Sequence, residues 1–468
     1  MASVRGNKAV NNMDQLTHFL RAAGITPTAI DHISITGKDP ILPSHFLIGE
    51  AGALALAGVG YTIAALWFLK TGRRQQVSID VRDAAIFQCA HQYLKVLSGE
   101  TPALWDPVSG FYATKDQRFI QLHCNFPHHR QGVVAFLKCA DDKAAVAAAI
   151  LQSWSAEALE TALSKQGLCA AMVRTPAEWA AHPQAAAVST LPLMEIIKVA
   201  DSAPEPLPEG DRPLSGVKML DLTRVIAGPV AAKLLAEQGA TVLHITSPHL
   251  PCILPLVMET GYGKLSAHVN FHDPAALQQV GTLIDSADIF LESYRPNGLD
   301  QFGLSPDALF ERRPGLIYAS LNAYSHKGPW KNRHGYDSLV QSATGIAYEQ
   351  SNGQSPPKHL PAQTLDYISG CLTAIGIAEA LRRRATEGGS YWVRVSLAQT
   401  AHWFKQLGRT QPDDTCKVPA ATEIPGLLTQ DDTAFGRLEH LLPVLAFSET
   451  PSYWDKPTVP LGTHLAAW

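Results

Sequence analysis

VKMLDLTRVIAGPVAAKLLAEQGATVLHI, residues 217–245, decides the fold. Residues 217–223 read as a strand. Gly228-Pro229 opens a helix over 230–238, Gly239 stops it, and residues 241–245 read as a second strand. Proline in the first turn and glycine at the stop are the favoured helix punctuation. A strand, helix and strand of this length form a βαβ unit, and βαβ units imply a parallel sheet. Outward from it the rhythm continues: helix 274–286, strand 288–292, helix 305–312 and strand 316–321.

A second feature is an internal echo. Residues 366–401 read DYISGCLTAIGIAEALRRRATEGGSYWVRVSLAQTA, and residues 50–85 read EAGALALAGVGYTIAALWFLKTGRRQQVSIDVRDAA. At a constant offset of 316 Gly60 meets Gly376, Ala64 meets Ala380, Gly72 meets Gly388 and Val77 meets Val393. Each copy reads as a carboxylate, an apolar helix, a charged turn with glycine and a β-branched strand. A repeated unit headed by a carboxylate suggests an architecture and a candidate nucleophile together.

Around these units the chain divides into five segments. Residues 1–45 read as an N-terminal arm with one amphipathic helix near 13–23. Residues 46–200 hold the first echo unit, a helix over 84–96, strand-like stretches at 110–114 and 118–123, and helical periodicity over 131–166. Residues 201–213, with proline after proline in SAPEPLPEGDRP, form a linker. Residues 214–400 form the sheet domain, and 401–468 an extended C-terminal wrap. Residues 1–10 carry two cations without an apolar core behind them, so no secretory signal is expected. Residues 48–69 come closest to a membrane span, but Glu50 and the glycines favour a buried helix.

With hydrophobic residues at 46% and charged residues at 17%, real cores are expected. A net charge of −4 without a basic stripe argues against nucleic acid as a partner. Seven cysteines without a CxxC fit reduced thiols in an intracellular, cytoplasmic setting.

Four chemical candidates can be weighed from residues alone. The loop RVIAGP is not GxGxxG, and Thr246 stands where an acidic ribose ligand is wanted, so a dinucleotide site is not expected. The helix opening at Gly228 can still hold an anionic group on its free N–H donors. His123, Cys124, His128 and His129 in LHCNFPHHR match no metal signature, and a solvated loop is the expectation, with no metal. Cys371, inside CLTAIGIA, reads as a buried, inert thiol. Asp366 divides evenly between an N-cap aspartate and an exposed nucleophile, ionised at neutral pH because the ordinary carboxyl titrates near ~3.9.

The segments at 214–245, ADIFLESYRPNGLDQFGLSPDAL (287–309), RPGLIYASLNAYSHKGPW (313–330), GYDSLVQSATG (335–345) and Leu365-Asp366 together resemble the class III CoA-transferases. The C-terminal LAFSETPSYWDKPTVPLGTH (445–464) is similar to that family's closing stretch. The resemblance implies a Rossmann-like parallel-sheet domain plus a smaller α+β domain. Residues 46–200 look like the family's later half standing first, so the order of parts is rearranged.

The resemblance also implies chemistry. Asp366 falls on the nucleophile's place, 25 residues beyond Gln341. It would attack a donor acyl-CoA, pass through an aspartyl anhydride and an aspartyl-CoA thioester, and hand CoA to a carboxylic acid. Coenzyme A enters as substrate, no cofactor is bound covalently, and a homodimer is the family's habit. Val225, Ile226 and Ala227 fall on the first CoA-contacting loop. Ser293, Tyr294 and Phe302 fall on places lining the nucleotide, and His334 and Tyr336 on places near the thioester. Glu50 is the secondary candidate nucleophile, with a helix-start acid as its plain reading. His272 and Gln301 replace basic residues of the family, and Thr246 and Pro248 an acidic and a basic place, which implies fewer cations for phosphate. Tyr336 stands where the family's racemases carry histidine, which disfavours proton shuttling at an α-carbon.

Overall fold

The computed structural model describes residues 12–412 and 415–468. The N-terminal decapeptide read against a signal sequence therefore lies outside the described residues. At the centre is a seven-stranded sheet. In chain order its strands are β1 (Glu195–Ala200), β2 (Lys218–Asp221), β3 (Thr241–Thr246), β4 (Lys264–His268), β5 (Ile289–Glu292), β6 (Ile317–Asn322) and β7 (Ser390–Ser396). They lie side by side as β4-β3-β2-β5-β6-β7-β1. Every pairing is parallel except that of β7 with β1. The chain runs outward from β2 to β4, then returns beside β2 and runs outward the other way. The order therefore reverses between β2 and β5, and in such sheets ligands bind outside the carboxyl ends of the strands at that point.

The echo is structural as well as sequential. Ile48–Thr71 and Thr364–Glu387 are both helices of 24 residues, and each leads into a strand, Val77–Asp80 or β7. The equivalent glycines do the same work. A Cβ on Gly60 would stand 2.4 Å from Val77 Cγ1, and one on Gly376 would stand 2.4 Å from Val393 Cγ1. The two helices also meet each other: a Cβ on Gly58 would lie 2.8 Å from Ile375 Cδ1. Small residues here let two helices and two strands approach closely.

Ile48–Thr71 is, among the described residues, the one helix long and apolar enough to cross a membrane. Its apolar side chains are instead spent on the protein core, where Leu56, Ile63 and Leu66 are fully buried.

Several expectations need correction. Residues 12–45 are no free arm: Leu16, Phe19 and Leu20 are buried in the main core, and Ile33–Thr36 pairs in parallel with Val77–Asp80. The helix expected over 84–96 is broken into Val81–Phe87 and Ala90–Tyr93, because the Gln88 side chain turns back to the Ile48 and Ala84 carbonyls. Strands β1 and β4 were not foreseen. β4 is short and ends in His268, which hides its apolar character. β1 precedes the proline-rich linker yet closes the edge of the sheet beyond it. The C-terminal segment contains a hairpin, Leu428–Thr433 with Gly436–Leu441, before it extends across the body to meet β4 at His464.

Candidate functional site

The loops that leave β2, β5 and β6 wall a cavity of about 430 Å³ at the point where the strand order reverses. Val225, Ile226, Ala227, Ser293, Tyr294, His334, Tyr336 and Asp366 all line it. These residues are spread over 142 positions of sequence, and the sheet gathers them. Phe126, His128 and His129, from before the linker, complete the wall, so both halves of one chain build the site. His272 and Phe302 stack edge-on at 5.2 Å and do not line the cavity. Glu50 lies outside it too.

The β2 loop is held from below. Asp221 Oδ1 accepts from the Thr223 backbone N–H at 2.9 Å, and Lys264 Nζ, fully surrounded by protein, bonds Asp221 Oδ2 at 3.0 Å and the Pro229 carbonyl at 2.9 Å. His244 Nε2 meets the Thr223 carbonyl at 3.0 Å. This clamp forces Val225 to φ +75°, a left-handed conformation that a β-branched residue rarely adopts. Strain of this kind persists only where the surroundings over-determine it, and it gathers at functional loops. Directly after it begins the helix Ala227–Ala236, whose N-cap Ile226 offers no side-chain cap. Its first backbone N–H groups are left for whatever anion enters the cavity.

Asp366 sits in the first turn of Thr364–Glu387, three residues past the N-cap Gln363. The N-cap reading is thereby excluded, and so is the reading of an exposed acid, since only 7% of its surface is accessible. Its backbone N–H donates to Asp337 Oδ2 at 2.9 Å. Burial first, and the neighbouring Asp337 second, raise its carboxyl well above the ordinary range, so the expectation of an unperturbed aspartate is corrected. Asp337 is itself raised, chiefly by burial. Gln341 donates from Nε2 to Asp337 Oδ1 and accepts the Leu360 N–H at 2.8 Å, fixing the second carboxyl in place.

The first echo unit repeats this cap with different residues. Asp39 Oδ2 accepts the Glu50 N–H at 2.8 Å and Oδ1 the Gly49 N–H at 3.2 Å. Burial, opposed by the N–H donors of Glu50, Ile41 and Gly49 and aided by the Glu50 charge, pushes Asp39 up to about 6. Each long helix is thus capped by an aspartate from outside itself, and each presents a carboxylate in its first turn. Glu50 does not line the cavity that holds Asp366, and it accepts the Asp39 N–H at 3.3 Å.

Sequence reasoning missed two further aspects of the site. Arg224, Arg295, Lys331 and Arg333 line the cavity against the single carboxylate of Asp366, so it is not poor in cations. Each stands within three residues of a motif residue already singled out, which was the available signal. Arg224 also lies 5.0 Å over the Phe126 ring and donates to the Pro251 carbonyl. Of the histidines in the 123–129 stretch only His128 is solvated: His123 and His129 are buried, with His123 stacked on Tyr336 at 3.9 Å. Burial raises the Tyr336 hydroxyl and lowers the His123 ring, to about 3. Cys371 is buried, in keeping with an inert thiol.

A doubly wound sheet, with a cation-lined cavity at its switch point and a buried carboxylate facing that cavity, defines the class as α/β. Known proteins narrow the class. The family described as CoA-transferase family III matches residues 214–422. An acetyl-coenzyme A transferase of Hypoxylon pulicicidum is 34% identical over 210 residues, 44% of this chain and 35% of that protein. A probable fatty acyl-CoA transferase of Mycobacterium tuberculosis is 30% identical over 268 residues, 52% of this chain and 68% of that protein. The beta subunit of a succinyl-CoA–L-malate CoA-transferase of Chloroflexus aurantiacus is 30% identical over 40% of this chain and 50% of the subunit. This chain belongs to CoA-transferase family III. It spans about half the length of most of the curated relatives it matches.

Proposed function

We propose that this protein transfers CoA from an acyl-CoA donor to a carboxylic acid, with Asp366 as the nucleophile. The observation that carries the reading is a lone, buried carboxylate facing a cavity lined otherwise by cations and by an uncapped helix N-terminus. In the first step an Asp366 carboxylate oxygen attacks the thioester carbon. The C–S bond breaks, CoA leaves as thiolate, and a mixed anhydride forms. The thiolate then attacks the aspartyl carbonyl and expels the donor acid, leaving an aspartyl-CoA thioester. The acceptor carboxylate repeats the sequence in reverse, and Asp366 is regenerated.

The surroundings suit each step. Every intermediate is an activated acyl group, so water must be kept away, and burial does this. A desolvated carboxylate is a stronger nucleophile than a hydrated one once its proton is gone. The free N–H groups at Ala227 and Gly228 are the candidate donors to a developing oxyanion. Arg224, Arg295, Lys331 and Arg333 offer charge for the CoA phosphates or the acceptor carboxylate.

The raised Tyr336 hydroxyl and its stacking on His123 favour transfer over α-proton exchange, because neither group titrates near neutrality. A homodimer and a cytoplasmic setting belong to the same proposal; the latter is supported by the buried free thiols of Cys89, Cys124, Cys169 and Cys371. The test is to mix the protein with succinyl-CoA and a panel of carboxylic acids and analyse acyl-CoAs by mass spectrometry. New acyl-CoAs that depend on Asp366 support the reading. Deuterium uptake at the α-carbon without any acceptor would favour a racemase, and CoA binding without turnover an idle relative.

A further inference from the structure

Three side chains from distant parts of the chain converge beside the cavity: His129 and His334 line its wall, and Cys169 lies against them. Cys169 Sγ lies 3.6 Å from His129 Nε2, and His334 joins them so that the three ligating atoms all fall within 4.8 Å of one another. His129 and Cys169 are buried, and His334 is half-buried. A zinc ion with Zn–S near ~2.3 Å and Zn–N near ~2.0 Å at a tetrahedral angle sets its sulfur and nitrogen ligands roughly 3.5 Å apart. The observed Sγ to Nε2 separation fits that edge. His129 Nδ1 has no hydrogen-bond partner among the described residues, so no competing bond turns the ring away.

The arrangement is held rigidly. Arg333 donates to the Ala170 carbonyl at 2.6 Å and pairs with buried Glu160 at 3.2 Å. Glu160 also holds Arg174 and accepts the Met172 N–H at 2.8 Å. Cys169 precedes Ala170 and His334 follows Arg333, so one buried ion-pair network locks both ligands side by side.

We propose that His129, Cys169 and His334 form a site for one soft divalent cation of the zinc class, with its fourth coordination position open to the cavity that holds Asp366. Thiolate and imidazole are the donors such ions prefer, and three protein ligands with one open place are the pattern of exchangeable rather than closed sites. Binding replaces the thiol proton: the S–H bond breaks, a metal–sulfur bond forms, and one proton passes to solvent. The site does not depend on the proposed transfer chemistry.

Titration of the metal-free, full-length protein with Co²⁺ tests it. The expected result is one Co²⁺ per chain, with a sulfur-to-cobalt charge-transfer band, about one proton released per ion, and displacement by Zn²⁺. Cys169→Ser should abolish the charge-transfer band, and His334→Ala should weaken binding at least tenfold with the circular dichroism unchanged. Cys252→Ser, which removes an exposed thiol elsewhere, should leave the titration as it is. A wild-type protein that gives no thiolate band, as a bare thiol–imidazole hydrogen bond would, overturns the proposal. So does a band that survives in Cys169→Ser or disappears in Cys252→Ser.

Discussion

Gly370→Ala should damage activity far more than stability. Gly370 lies one helical turn beyond Asp366 and on the same helix face, against the start of Ala227–Ala236. A Cβ there would stand 2.7 Å from the Ala227 carbonyl oxygen and 2.9 Å from Val230 Cγ1, where ordinary contact begins at 3.4 Å. The neighbouring helix must therefore retreat by roughly 0.7 Å, and a backbone oxygen cannot swing aside as a side chain can. Overpacking costs about 1–3 kcal/mol. Replacing glycine by alanine inside a helix returns about 1 kcal/mol. The net loss is then between roughly zero and 2 kcal/mol, a few degrees in melting temperature at most for a chain of this size. The retreat, however, carries the Ala227 and Gly228 N–H groups away from Asp366. A misplacement approaching 1 Å costs on the order of 100-fold in rate. Steady-state kcat/KM with the best acyl-CoA and acid pair, read beside thermal melts, should show a drop of at least tenfold in a folded enzyme. Unchanged kcat/KM would refute the idea that this helix end serves the reaction.

Other outcomes follow from the same geometry. Activity should rise with pH through a limb lying above the ordinary carboxylate range, because burial and Asp337 hold the proton on Asp366; Asp337→Asn should move that limb toward lower pH in a kcat/KM profile. Because the raised pair binds protons more readily folded than unfolded, its stabilising contribution is fully present below ~3.9 and is lost as pH rises through the raised values. Asp366→Asn, which has no charge to bury, should therefore melt at or above the wild-type temperature at neutral pH, and a large loss of stability there would contradict the assigned shift. Glu160→Gln strips the partner from buried Arg174 and Arg333 and should cost about 3–5 kcal/mol in denaturant unfolding. Gly60→Ala and Gly376→Ala meet equivalent valine methyls at the same separation, so their penalties should agree to within about 1 kcal/mol.

The parallel sheet was legible because each βαβ unit carries its own punctuation, as at Gly228-Pro229 and Gly239. The echo was legible because helix, turn and strand keep one register over 36 positions, and Gly60 with Val77 and Gly376 with Val393 show why: each pair is a contact that fixes the spacing. What stayed hidden depends on distance in sequence. β1 pairs with β7 across nearly two hundred residues, and no local pattern records that. The convergence of His129, Cys169 and His334 is likewise set by the packing around a three-stranded antiparallel sheet, Gly110–Ala113, Phe119–Leu122 and Ala170–Met172, and by the Glu160–Arg333 pair. The state of Asp366 could not be read from its neighbours in the chain, because the burial that chiefly raises it and the Asp337 carboxyl that adds to it, 29 residues earlier, both arise only through the fold.

The central claim is that Asp366 becomes acylated. Incubating the protein with succinyl-CoA, quenching with hydroxylamine and mapping peptides by mass spectrometry tests it directly. A hydroxamate is expected on Asp366, dependent on the acyl-CoA, with none on Glu50, and no transfer by Asp366→Ala. Turnover that survives in Asp366→Ala, or a hydroxamate that forms on another carboxylate, would contradict it.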